Sequence, residues 1–171
     1  DPRWDRVLPI MEEEQILQCR LMRPLLAKLV EYHFTQHLPP PKILDLGTGC
    51  GVFAIYAAML GCDVEAVDIS QRAINFAKQN LIKNESQIHP NGSVKLIHRD
   101  YCTLNSDGKY DGQYDVIIVA PPYNPTLPCC RPALHADGGK DGQSKFLELL
   151  DIVPPMLKEG GGLPWQPHVH N

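Results

Sequence analysis

"KILDLGTGCGVF", residues 42–53, decides the fold. The run Lys42–Leu46 reads as a short buried strand. It passes directly into a turn carrying Gly47, Gly49 and Gly51, and the apolar stretch "VFAIYAAML" then reads as a helix ended by Gly61. A strand that turns on glycines into a helix is the opening unit of a parallel α/β sheet. Missing β-carbons let the backbone approach a ligand and offer amides at a helix N-terminus. A dinucleotide fingerprint needs its third glycine at position 52, where Val52 stands. Asp45, at the end of the strand, would repel a pyrophosphate. A ligand with an ammonium group and no phosphates suits this turn better than a nicotinamide dinucleotide, so a nicotinamide oxidoreductase is the weakest of the readings weighed.

Strand and helix patterns alternate outward from there. "DVEAVD" (63–68) is a second strand, and Ser70 is placed to cap the helix "QRAINFAKQNLIKN". "VKLIH" (94–98) is a third strand and "YDVIIVA" (114–120) a fourth, with turns at "SQIHPNG" and "NSDGKYDGQ". Residues 124–143 carry no periodic pattern, which suits a lid or binding loop. "KFLELLDIVPPMLKEGGG" resumes as a helix broken around Pro154–Pro155. Upstream, residues 11–33 have helical periodicity, with Ile16, Leu17, Leu21, Leu25 and Leu29 near one face. Pro24 is expected to kink that helix or to start a second one. The run "LPPP" (38–41) ends it, which divides the chain into an N-terminal helical segment with linker (1–41) and a core (42–171). The expected class is α/β, a Rossmann-like, doubly wound, mainly parallel sheet.

Composition limits what such a chain can do. It has 171 residues, 43% hydrophobic and 21% charged, enough for one domain with a substantial core. A net charge of −4 supplies no basic field to attract nucleic acid, and no apolar run approaches a membrane span. The six cysteines include no C-x-x-C pair, so free thiols in a reducing, cytoplasmic compartment are expected. Cys129, Cys130 and His135 are read as part of an ordinary loop rather than a zinc site, and no metal is expected. The opening Asp1–Pro2 suggests that the natural N-terminus lies upstream.

The informative residues fall at the carboxyl ends of the strands, where open α/β sheets bind ligands. Asp68, after strand two, can accept hydrogen bonds from a ribose diol. Asp100, after strand three, can accept from an adenine amino group beside an apolar wall that includes Tyr101. Strand four ends in Ala120-Pro121-Pro122-Tyr123.

"ILDLGTGCG", "VEAVDIS", "HRDY" and "VAPPY", taken in order, resemble the motif series of class I S-adenosylmethionine-dependent methyltransferases. The likeness spans roughly residues 42–163. Within that superfamily the chain is similar to N-methyltransferases with an Asn/Asp-Pro-Pro-Tyr motif, and most similar to HemK-type enzymes, which methylate a glutamine amide in release factors. "RVLPIMEEEQIL" and "ALHADGGKDGQSKFLELLDIVPPMLKEGGG" extend the likeness on both sides. The resemblance implies S-adenosyl-L-methionine as cofactor, with Asp45, Gly47 and Gly49 at its methionine part, Asp68 at the ribose and Asp100 at the adenine. Thr48, Gly51, Ile69 and Tyr101 complete the implied cofactor set, and Ala120, Pro121, Pro122 and Tyr123 the implied catalytic one. The rigid prolines would aim carbonyls and the Tyr123 ring at the transferred methyl, with acceptors favouring a pyramidal target nitrogen.

Two departures qualify this. Ala120 stands where the family has Asn or Asp, which removes a side-chain acceptor. The acceptor nitrogen is then more nucleophilic than an amide, or a neighbour such as Asn124 substitutes, or the chain is a catalytically silent cofactor-binding module. "GGGLPWQPHVHN" sets Pro164 and Pro167 where strand five is expected, so the C-terminal strands should be truncated or altered. His168 and His170 are given no role. The expected function is N-methylation of an amide or amine in a protein, nucleobase or small molecule. The acceptor's identity and the oligomeric state are left open.

Overall fold

Five strands build the sheet: β1 (Lys42–Leu46), β2 (Asp63–Asp68), β3 (Ser93–His98), β4 (Tyr114–Val119) and β5 (Leu157–Gly162). They belong to a computed structural model that describes residues 5–7, 12–126 and 133–162. All pair in parallel in the order β3-β2-β1-β4-β5. Strand order therefore reverses between β1 and β4, and the crevice above that reversal is where such sheets hold ligands. The central strands are buried on both faces, which is why Ile43, Leu44, Val116, Ile117 and Ile118 read as continuous apolar runs.

The alternation of each strand sorts its side chains into two cores. Ile43, Val64, Ala66, Val116 and Ile118 pack against the helices α1 (Glu12–Thr35) and α2 (Val52–Met59). Leu44, Leu46, Val67, Ile117 and Val119 pack on the other face with Leu104, Tyr110 and Leu149 of α4 (Ser144–Ile152). The sheet is thus covered on both sides. The helix α3 (Gln71–Lys83) begins as expected: the Ser70 hydroxyl accepts from the Ala73 amide at 3.1 Å.

Three expectations need correction. Pro24 does not begin a second helix, because α1 runs through it from Glu12 to Thr35. One forfeited backbone bond is outweighed by the burial of Cys19, Met22 and Leu26 on either side of it. Of the five apolar residues read near one face, Leu29 packs against the core. Cys19, Met22 and Leu26 enter the core, whereas Leu17, Leu21 and Leu25 are 55%, 63% and 48% exposed. The two stripes are centred about 130° apart at 100° per residue, and apolar periodicity alone could not choose between them. Finally, β5 forms ahead of Pro164 and Pro167. It uses Leu157–Gly162 and pairs with β4 through an irregular register between Tyr114↔Leu157 and Val116↔Gly162. The two prolines, His168 and His170 lie outside the described residues, as do Asp1, Pro2, Cys129 and Cys130.

Candidate functional site

The crest of the sheet is assembled by backbone geometry first. Gly47, Gly49 and Gly51 all adopt positive φ, at 78°, 57° and 84°, a region that costs an L-residue about 1–2 kcal/mol. The turn folds over the end of β2: the amides of Gly47 and Thr48 both donate to the Val67 carbonyl, at 2.9 and 3.0 Å. The Gly51 amide donates to the Thr48 carbonyl at 2.9 Å and so closes the turn onto α2. A β-carbon on Gly51 would lie 3.0 Å from that of Ala77, so this glycine serves helix packing. A β-carbon on Gly49 would meet nothing closer than 4.0 Å, so the requirement there is for backbone conformation beside open space.

Two carboxylates flank the turn in different states. Asp45 is 2% exposed, and its Oδ2 accepts from the Thr48 hydroxyl at 2.7 Å. Burial pushes its pKa up to about 6, and the neighbouring Asp68 charge adds to the rise while the Thr48 bond opposes it. A buried carboxylate with no cationic partner among the described residues is suited to receive a cation. Asp68 accepts from the Gly49 amide through Oδ2 at 2.9 Å and from the Ser70 amide through Oδ1 at 2.8 Å. Burial raises its pKa, and these two amides work against the rise. Asp68 is therefore a bracket between the glycine turn and the start of α3, with lone pairs left for a diol. Ile69 is exposed beside it, and its carbonyl meets His98 Nε2 at 2.9 Å.

Asp100 caps the short helical turn Tyr101–Thr103, accepting from the Cys102 amide at 2.9 Å. Tyr101 is half-buried against Leu104 and its neighbours, and burial raises its phenol pKa. Together they form an acid-and-ring edge at the end of β3. At the end of β4 the Ala120 carbonyl lies 3.8 Å from where a Gly47 β-carbon would be, so the proline motif and the glycine turn are neighbours across the β1/β4 reversal. Pro121 and Pro122 are half-buried, and Tyr123 is 41% exposed. Asp45, Gly47, Thr48, Gly49, Gly51, Asp68, Ile69, Asp100, Tyr101 and Ala120–Tyr123 thus share one end of the sheet. A separate cleft, lined by Val30, His33, Pro41, Leu60 and His89, opens at the opposite end of the strands.

One part of the site escaped the sequence reading. The segment Asp137–Gly142 packs on the backbone of Tyr123: a β-carbon on Gly138 would fall 2.7 Å from the Tyr123 carbonyl carbon, and one on Gly142 only 2.4 Å from its oxygen. Asn124 pairs with Asp137 in an isolated bridge, and the Thr126 amide donates to the Gly139 carbonyl at 2.8 Å. Asp137 Oδ1 accepts from both the Thr126 hydroxyl and the Gly139 amide, the latter at 3.1 Å. These contacts hold the described parts of the 124–143 stretch to the proline motif. The signal was the glycine density of "DGGKDG". Asn124 is held by its backbone at this clamp. Among the described residues no group of three or more His, Cys, Asp or Glu could hold a metal ion, and no helix is long and apolar enough to cross a membrane.

The chain is similar to known proteins in sequence and in fold. The chain is 28% identical to a release factor glutamine methyltransferase of Corynebacterium glutamicum over 71% of its own length and 44% of that protein's. It is 31% identical to a ribosomal protein uL3 glutamine methyltransferase of Bradyrhizobium diazoefficiens, over 92% of this chain and 52% of the relative. The chain therefore spans about half the length of these curated relatives. Both are named as methyltransferases, which gives the silent-module alternative no support. In fold it matches the structure of a SAM-dependent methyltransferase from Agrobacterium tumefaciens, with a TM-score of 0.62 at 23% identity over 88% of this chain and 43% of that one. Residues 26–131 match the family model of the methyltransferase small domain, a span from mid-α1 through the proline motif, and the chain belongs to that family.

Proposed function

We propose that this protein is an S-adenosylmethionine-dependent N-methyltransferase whose acceptor is a side-chain nitrogen of a protein. The observation that carries the reading is the pairing of a bracketed carboxylate, Asp68, with an open glycine turn at the strand-order reversal. The residues fit the cofactor on chemical grounds. Asp45 is a buried carboxylate with no cation beside it among the described residues, Gly49 leaves space above the turn, and Asp68 and Asp100 offer acceptors at the next two strand ends. Asp45, Gly47, Thr48, Gly49 and Gly51 would hold the amino-acid end, Asp68 and Ile69 the ribose, and Asp100 with Tyr101 the adenine. When bound, the sulfonium supplies an electrophilic methyl group.

The chain's own contribution is orientation. Pro121 and Pro122 fix the backbone, and the glycine clamp holds Tyr123 from behind. The Ala120 carbonyl and its neighbours can accept hydrogen bonds from the target N–H groups, while the Tyr123 ring lies against the flat group. A protein acceptor is supported by the printed names of the relatives, two glutamine methyltransferases of translation proteins. We further propose a cytoplasmic site of action, supported by four free cysteines among the described residues. The proline run 39–41 supports a boundary there between a helical segment (1–41) and the cofactor-binding core (42–171).

The test is single-turnover transfer of labelled methyl to release-factor and ribosomal-protein peptides, with acceptor residues mapped by mass spectrometry. The wild type should methylate a side-chain nitrogen. Ala120→Asn should raise the rate on a glutamine amide by up to about 100-fold, as one restored hydrogen bond to a planar nitrogen allows. It should leave a more nucleophilic amine unaffected. No transfer to any protein, with cofactor bound, would overturn the proposal.

A further inference from the structure

The exposed leucines of α1 carry more than a wrong expectation about burial. On a helix at 100° per residue, Glu14, Leu17, Leu21, Leu25 and Lys28 fall within a narrow arc of about 80°, centred about 130° from the arc that Cys19, Met22 and Leu26 bury in the core. All five are exposed, and neither Glu14 nor Lys28 forms an ion pair among the described residues. The spacing from Glu14 to Lys28 is three, four, four and three residues, which reads the same from either end apart from the sign of the terminal charge. An antiparallel copy of the helix would therefore set Leu21 against Leu21, Leu17 against Leu25, and Glu14 against Lys28 twice over. A single leucine stripe could meet many surfaces, but a stripe with opposite charges at symmetric distances complements itself.

We propose that this face of α1 is the contact surface for a second copy of the chain, joined antiparallel about a two-fold axis through Leu21. The three leucines recur every four residues, and the two charges stand three residues beyond the outer leucines. It is small: Glu14 to Lys28 covers about 21 Å at 1.5 Å per residue, less than a standard interface needs for tight binding. The dimer is accordingly weak and concentration-dependent. It lies on the opposite flank of α1 from the core and does not depend on the chemistry of the sheet crest.

Sedimentation equilibrium from micromolar to near-millimolar protein tests it. The wild type should shift from monomer to dimer over that range, and Leu21→Glu, which places two carboxylates on the axis without touching the core, should stay monomeric with an unchanged circular dichroism spectrum. Glu14→Lys should weaken the dimer, and Glu14→Lys with Lys28→Glu should restore it. Under mild oxidation Leu21→Cys should cross-link to itself, whereas Leu17→Cys should cross-link only when mixed with Leu25→Cys. A wild type that remains monomeric at every concentration would overturn the proposal and assign the stripe to a different partner. A dimer that survives Leu21→Glu, or a Leu17→Cys variant that cross-links to itself, would overturn it equally.

Discussion

Asp45 costs the protein stability, and its position explains why a function would retain it. Its pKa is raised to about 6 by burial, against an unfolded value near 3.8, so the folded state binds a proton more tightly than the unfolded one. Stability should therefore fall as pH rises from about 4 to about 6 and level off above, a loss of about 3 kcal/mol at most. Asp45→Asn removes the charge, and the Thr48 hydroxyl can turn to accept from the new amide. Scanning calorimetry should find the variant melting several degrees above the wild type at pH 7 and close to it at pH 4, about 2–4 °C per kcal/mol for a chain of this size. If the charge serves an ammonium group, the same variant should bind S-adenosylmethionine more weakly. A variant that is no more stable at neutral pH would mean that Asp45 has another compensation.

The elements of the sheet were legible because each carries a local signature. Short runs rich in Val, Ile and Leu marked β1, β2 and β4, a serine marked the start of α3, and three glycines marked the turn. What was not legible depends on contacts between distant residues. The clamp of Asp137–Gly142 on Tyr123 spans a patternless stretch, and the choice between two apolar stripes on α1 was made by where α2 lies. In β5, glycines that look like a loop are recruited to an edge by pairing with β4. Two variants check these elements. Gly51→Ala meets both a positive φ of 84° and the Ala77 β-carbon at 3.0 Å, so it should destabilise the fold by about 1–2 kcal/mol or more in urea titration. A change near zero would mean that α2 and α3 separate easily. Asp137→Ala removes the acceptor shared by Thr126 and Gly139, so methyl transfer should slow while cofactor affinity holds. Asp137→Asn keeps an acceptor oxygen and should recover most of the rate. Equal rates in wild type and Asp137→Ala would remove the clamp from the reaction.

At the scale of the whole molecule, the candidate site residues sit at one end of the sheet, and the self-complementary stripe of α1 runs along its flank. The division follows from topology. Parallel strands send their carboxyl ends to the same edge, and reversal of the strand order between β1 and β4 opens the crevice there. A mild net negative charge leaves no general attraction for nucleic acid, which accords with a protein acceptor. The account stands on this edge being a site for S-adenosylmethionine, and isothermal titration calorimetry measures that directly. The wild type should bind S-adenosylmethionine and its demethylated product in the micromolar range and should not bind NAD. Asp68→Ala should weaken both ligands by about ten- to a hundredfold, the loss of charge-assisted bonds worth roughly 1.5–3 kcal/mol. Undiminished affinity in Asp68→Ala, or tighter binding of NAD than of S-adenosylmethionine by the wild type, would contradict it.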